Sequence, residues 1–325
     1  MRRVSGTPLA MAMGGAEVRF GVSLGFQPPD RLRALAARIE ALGYDSIWVG
    51  DHIVFHTPYL ESLTTLSHLA AVTTRVRMGT CVYLLALRQP TVAAKMVATL
   101  DVLSSGRLVF GVGVGGEFAK EFEACGVPHA ERGRRVDEGI EVCRRLWRDA
   151  PASFEGRFVR FTDVSLDPRP VQAGGPPIWV GGRSDAALAR AARVGDGWVS
   201  YVVTPERYRE SLEKIQRLAA AAGRVVVPGA GFELAHVAFA VVDDDPDRAR
   251  ETAVRELTRR YNQPFDRLVD RYCVLGPPAR CMETLQRFID AGARTLVIEF
   301  TAGVDRLEEQ IERFAAEVVP HVHAV

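Results

Sequence analysis

The sequence predicts an α/β fold, a closed (β/α)8 barrel, and three observations predict it. Eight stretches with strand pattern each precede a stretch with helical spacing. Strict alternation of this kind builds a parallel sheet with helical crossovers. Eight such units in a chain of 325 residues fit a closed barrel better than an open doubly wound sheet.

The elements follow in order. VRFGVSL (Val18–Leu24) is a strand, and Asp30–Leu42 has helical spacing through Leu32, Leu35, Ala36 and Ile39. SIWVGD (Ser46–Asp51) precedes a helix over Leu60–Thr73, and VRMGTCVYL (Val76–Leu84) precedes a helix over Thr91–Ser104 closed by Gly106. RLVFGVGV (Arg107–Val114) leads, past a short helical piece broken at Gly126 and Pro128, to a helix over Glu131–Arg148. PIWVGG (Pro177–Gly182), GWVSYVV (Gly197–Val203), ELAHVAFAVV (Glu233–Val242) and TLVIEF (Thr295–Phe300) complete the strands. Their helices are Ser184–Val194, Pro205–Ala222, Asp247–Arg260 and Asp305–Val319. Two short insertions interrupt the rhythm. Ser153–Pro170 reads as a hairpin before the fifth strand, and Tyr261–Gly292 adds a loop and an extra helix before the eighth. Residues 17–325 are therefore expected to form one barrel domain. Residues 1–16 read as a disordered extension, because the apolar run after Arg2 and Arg3 is short for a signal peptide and contains Pro8.

Composition excludes several classes. Lys and Arg number 41 against 40 Asp and Glu, and the arginines alternate with acids, so neither nucleic acid nor an anionic membrane is an expected partner. Five cysteines without CxxC spacing suggest reduced thiols and a cytoplasmic setting, with no zinc site and no metal expected. The most apolar stretch, near VVVPGAGFELAHVAFAVV, is broken by Pro228, Glu233 and His236 and cannot span a bilayer.

The fourth strand is unusual. In FGVGVGGE (Phe110–Glu117), Phe110, Val112 and Val114 fall on one face, while Gly111, Gly113 and Gly115 leave the other bare. The first strand sets Gly21, Ser23 and Gly25 against Phe20, Val22 and Leu24 in the same way. Barrel interiors are usually filled with branched side chains. Stripped faces therefore leave room for a flat ligand, or alternatively relieve crowding at a bulge. Gly111, Gly113 and Gly116 also match GxGxxG. A dinucleotide turn would need to open a helix early in the chain, and this one lies in the fourth unit.

In (β/α)8 enzymes the chemistry sits at the C-terminal ends of the strands. Asp51 and His52 end the second, and His52 is a titratable group beside a carboxylate. Thr80, Cys81 and Val82 lie in the third. Glu117 follows the fourth, either as an acid or as a solvated residue of a short helix. Gly181, Gly182, Arg183 and Ser184 run into a helix, which suits a phosphate; a plain Ser184 N-cap is the alternative.

These residues, with GYDSIWVGDH, VRMGTCVYLLALRQPTVAAKMVATLDVLSSGRLVFGVGVGGE, RRVDEGIEVCRRLW, PIWVGGRSDAALARAARVGDGW and GARTLVIEF, resemble the bacterial luciferase-like superfamily over about Val18 to Val319. The resemblance implies a luciferase-like barrel whose flat guest is FMN or the deazaflavin coenzyme F420. The ring would lie near Gly113 and Gly115, with a non-prolyl cis bond at Cys81–Val82 behind it and its phosphate on Gly181, Gly182, Arg183 and Ser184. The Asp51–His52 pair is similar to that of the F420-dependent branch. The extra Gly116 displaces Glu117 by one residue from that branch's catalytic glutamate.

The expected activity is F420-dependent hydride transfer to or from a small organic substrate. His52, oriented by Asp51, would handle the proton, with Glu117 as a second acid or base. The alternatives are an FMN-dependent monooxygenase fed by a separate reductase, and a non-catalytic flavin-binding barrel. Family members are often dimers, so a homodimer joined through the second and third helices is implied.

Overall fold

The computed structural model describes residues 17–116, 118–227 and 231–322. The extension expected over 1–16, and Glu117, lie outside the described residues. In chain order the elements are β1 (Arg19–Leu24), α1 (Pro29–Ala41), β2 (Ser46–Val49), α2 (Ser62–Ala70), β3 (Arg77–Thr80), β4 (Tyr83–Leu84), α3 (Pro90–Leu103), β5 (Leu108–Gly113), α4 (Ala119–Ala124), α5 (Arg132–Arg148), β6 (Ala152–Glu155) and β7 (Arg160–Val164). They continue with β8 (Ile178–Gly181), α6 (Asp185–Val194), β9 (Gly197–Tyr201), α7 (Pro205–Ala221), β10 (Glu233–Val242), α8 (Pro246–Tyr261), α9 (Val269–Tyr272), β11 (Cys273–Gly276), α10 (Pro278–Asp290), β12 (Thr295–Phe300) and α11 (Leu307–Glu317).

Local chemistry starts the crossovers. Gln89, Thr204 and Asp245 accept backbone N–H groups at the N-termini of α3, α7 and α8, and proline follows each cap. Proline there gives up no helical hydrogen bond and presets φ. All eight expected strands become barrel strands. The ring runs β1, β2, β3, β5, β8, β9, β10 and β12 in parallel, and β12 closes on β1. The third strand continues past the cis bond Cys81–Val82 as β4, which pairs with β5 beyond β3. The expected insertions are present: β6 and β7 form an antiparallel hairpin, and α10 is the extra helix. The sequence reading missed β11, a four-residue strand on Phe239–Val242 of β10, beyond the stretch of β10 that pairs with β9.

The core has two layers. Phe20, Val22, Leu24, Phe110 and Val112 face the helices, as their parity requires. Trp48, Val109, Trp179, Val199, Ala235, Val237 and Val297 fill the inside of the barrel. Truncating a buried indole such as Trp48 or Trp179 costs about 3–5 kcal/mol.

Candidate active site

The floor of the barrel is built from tryptophan. The indoles of Trp48 and Trp179 pack with centroids 4.9 Å apart, and Trp48 Nε1–H donates to Ser46 Oγ at 2.8 Å. This packing corrects the expectation that the bare strand faces stay open for a guest. A Cβ on Gly21 would strike Ser46 Oγ, with Trp48 Nε1 at 2.7 Å, and one on Gly79 would strike the Trp48 ring. A Cβ on Gly111 would strike the Thr80 carbonyl, and one on Gly113 the Val82 side chain. A Cβ on Gly181 would come within 2.5 Å of Val82 Cγ1. The glycines therefore admit neighbouring strands first; what they leave open is the mouth above them. Gly115 is not on the inner face either. It adopts φ +60° after β5 has ended, and its Cβ direction meets Leu84 and Phe122.

Above the floor lies a cavity that opens to solvent, with about 1070 Å³ of empty space when the open solvent in its mouth is included. Its wall brings together Asp51, His52, Cys81, Val82, Gly113, Gly115, Gly181 and Gly182 of the expected set, with Tyr59, Tyr201, Tyr261 and Glu299. Thr80 is not among them. It is fully buried, and its hydroxyl donates to the Gly111 carbonyl at 2.7 Å, tying β3 to β5. Desolvation pushes the Cys81 thiol up to about 12, so this wall residue stays a neutral thiol.

His52 stands on the loop after β2. Its ring stacks on Phe55 at 3.8 Å, meets Tyr59 edge-on, and keeps 18% of its side-chain surface exposed. Its partner is not the expected one. Asp51 does not orient His52: the Asp51 carboxylate accepts Nη1 and Nη2 of Arg88 at 2.7 and 2.8 Å, the Leu84 N–H at 2.9 Å and the Ser62 hydroxyl at 3.1 Å. Adjacent residues point to opposite sides, and Asp51 points into the protein. The carboxylate at His52 is Glu121 of α4, whose Oε2 lies 3.3 Å from His52 Nδ1. Glu121 is 1% exposed, and its Oε1 also accepts the Ile53 N–H at 2.5 Å and the Val54 N–H at 3.3 Å. A carboxylate acceptor at Nδ1 requires the proton there, so in the neutral ring the lone pair sits on Nε2. Among the described residues Nε2 has no hydrogen-bond partner. Sequence reasoning missed Glu121. The only signal was its place four residues after Glu117, on a helical piece that buries Phe122.

The GGRS segment ends β8 and caps α6. Gly182 takes φ +127° and its carbonyl accepts Trp198 Nε1–H at 2.7 Å. Ser184 is the N-cap, its hydroxyl accepting the Ala187 N–H at 3.3 Å, as the simpler reading expects. Arg183 lies over the Tyr201 ring at 5.2 Å, donates to the Val202 carbonyl, and has no carboxylate within salt-bridge distance among the described residues. Only Gly181 and Gly182 of this segment form the cavity wall; Arg183 and Ser184 are exposed at its rim. His236, by contrast, is a core residue. It stacks on Phe288, its Nδ1 is 2.8 Å from the Ser200 hydroxyl, and burial lowers it to about 3.

A parallel barrel with a cavity at its mouth and a histidine at the strand ends has the layout of a (β/α)8 enzyme. The comparisons agree: the chain belongs to the luciferase-like monooxygenase family, whose description matches residues 8–295. It is 28% identical over 329 residues to an F420-dependent glucose-6-phosphate dehydrogenase of Kineococcus radiotolerans, covering 90% of this chain and 93% of that one. It is 35% identical over 193 residues to an FMNH(2)-dependent dimethylsulfone monooxygenase of Pseudomonas putida, covering 58% and 51%. The crystal structure of monooxygenase RslO1 from Streptomyces bottropensis superposes with a TM-score of 0.80 at 25% identity, covering 93% and 99%. Relatives thus use F420 or FMN, and the chain is an enzyme of this family. No helix among the described residues is long and apolar enough to cross a membrane.

Proposed function

We propose that this chain is an F420-dependent oxidoreductase that moves a hydride to or from a small organic substrate. The observation that carries the reading is His52 in the cavity wall, with Nδ1 held by buried Glu121. Hydride transfer needs a proton carrier next to the reacting carbon. The relatives named for F420 add support at 27–29% identity.

The wall fits a flat ring with an anionic tail. Val82, lodged against Gly113 and Gly181, offers an apolar platform, and the Gly182–Ser184 turn with Arg183 offers donors and a cation at the rim. The deazaflavin supplies a ring carbon that accepts or gives a hydride. In the oxidative direction His52 would take the proton of a substrate hydroxyl, and the bound deazaflavin would supply the acceptor for the hydride. The reverse direction uses the same geometry. Glu121 holds the ring through Nδ1.

A second reading, an FMN-dependent monooxygenase, is favoured by the Pseudomonas putida relative. Titrating the apoprotein with each cofactor separates the two. Tight F420 binding with weak FMN binding is expected; the opposite ranking would overturn the F420 reading. The same proposal includes a cytoplasmic homodimer. Its supports are five free thiols and a row of exposed apolar residues on α3, namely Val92, Met96 and Leu103.

A further inference from the structure

Beside the mouth lies an annex that shares Ser23, Gly25, Tyr59 and Glu299 with it. We infer that this annex takes the body of the substrate, and that the substrate is an uncharged molecule rather than a phosphate ester. The inference rests on the proposed site and adds the substrate class.

Charge balance carries it. Among the described residues, no Lys or Arg lines the mouth. Two arginines line the annex, and each is paired with an acid, although Glu256 also accepts from Arg255 at 3.2 Å. Arg259 Nη2 donates to Glu256 Oε2 at 3.1 Å, and Arg260 pairs with Glu299. The second pair is largely desolvated, with 19% and 16% of the side chains exposed. A phosphate dianion would meet two carboxylates and would have to draw Arg260 from its partner where water screens weakly. A hydroxyl or carbonyl meets no such cost: Glu299 can accept from it and Arg260 can donate to it while the pair stays closed. The rest of the wall mixes apolar Phe26, Pro58, Phe300 and Val304 with uncharged polar groups of Ser23, Gln27, Thr57 and Thr301. The sugar phosphate in the name of the Kineococcus radiotolerans relative is therefore not carried over to this chain.

A matched pair of probes tests the class. Cyclohexanol and cyclohexyl phosphate share one ring and differ in charge. Each is titrated calorimetrically into the complex of the protein with whichever cofactor binds. The expected result is detectable cyclohexanol binding, with the phosphate weaker by about tenfold or more. Glu299→Gln frees Arg260 and narrows the gap; Arg260→Gln leaves Glu299 unopposed and widens it. Thermal unfolding identifies a variant that fails to fold, and the other then carries the test. Equal or tighter binding of the phosphate by the wild-type chain, no cyclohexanol binding, or an unchanged gap in the folded variants overturns the inference. Failure of the cofactor reading appears separately, in the cofactor titration made without either probe.

Discussion

Removing the Asp51 carboxylate should break the fold near the mouth rather than a chemical step. Asp51 is 3% exposed and accepts four hydrogen bonds, two from Arg88 and one each from Leu84 and Ser62. In Asp51→Ala, the Arg88 guanidinium, with 14% of its side chain exposed, keeps Glu61 at 3.6 Å as its one carboxylate, with the Leu84 carbonyl at 3.4 Å and the Tyr83 ring at 4.2 Å. Stripping one partner from a buried ion pair costs about 3–5 kcal/mol. The Leu84 N–H, left without an acceptor inside the protein, adds about 1–3 kcal/mol. These costs overlap, and a net loss of about 5 kcal/mol lowers Tm by roughly 10 °C in a chain of this size. Differential scanning calorimetry reads the shift. Arg88→Met should be destabilising as well. The double variant Asp51→Leu/Arg88→Met should recover part of the loss, with a coupling of about 2–4 kcal/mol in the cycle. An Asp51→Ala protein with Tm within about 2 °C of wild type and an unchanged denaturant midpoint would refute this account. It would return Asp51 to the reaction.

Four further outcomes are expected. In Glu121→Gln, the oxygen of the amide should stay with the Ile53 and Val54 N–H groups and turn its NH2 toward His52; nitrogen-15 NMR should then show the ring proton moving from Nδ1 to Nε2, and an unmoved proton would contradict the assigned pairing. Burial raises the Glu40 pKa, but the N–H groups of Val76, Arg75 and Thr74 outweigh it and bring the carboxyl down from 4.5 to about 2. The stability it adds is thus complete above its unfolded value and is lost as pH falls from about 4.5 toward 2; Glu40→Gln should lose about 1–2 kcal/mol at neutral pH and show a shallower acid limb in urea titrations, and an unchanged limb would disprove it. Gly113→Ala should push Val82 into the mouth, costing about 1–3 kcal/mol of stability and at least about tenfold in cofactor affinity by fluorescence titration. Sedimentation velocity should find a dimer that Val92→Asp/Leu103→Asp converts to monomer; a wild-type monomer would remove α3 as an interface.

Much of this architecture could be read from local pattern. Strand parity put Phe110 and Val112 against the helices because alternation is a property of any strand, whatever its neighbours. The hairpin of β6 and β7 and the Ser184 cap were visible for the same reason. The legible part of the site ended where contacts became long-range. Glu121 meets His52 across 69 residues, and Arg88 meets Asp51 across 37, so an acid next to His52 in sequence seemed its partner when a distant one was. Gly111 and Gly113 were seen to be bare, but Thr80 and Val82, which occupy the space beside them, come from another strand. An adjacent pair of titratable residues indicated the right loop and the wrong geometry.

The packed indoles of Trp48 and Trp179 make the barrel a cup that is closed beneath its cavity. Two molecules that share such a cup must queue: whichever sits deeper enters first and departs last. Order of arrival is then a property of the plug beneath, and a protein with its base drilled open would let either visitor come and go at will.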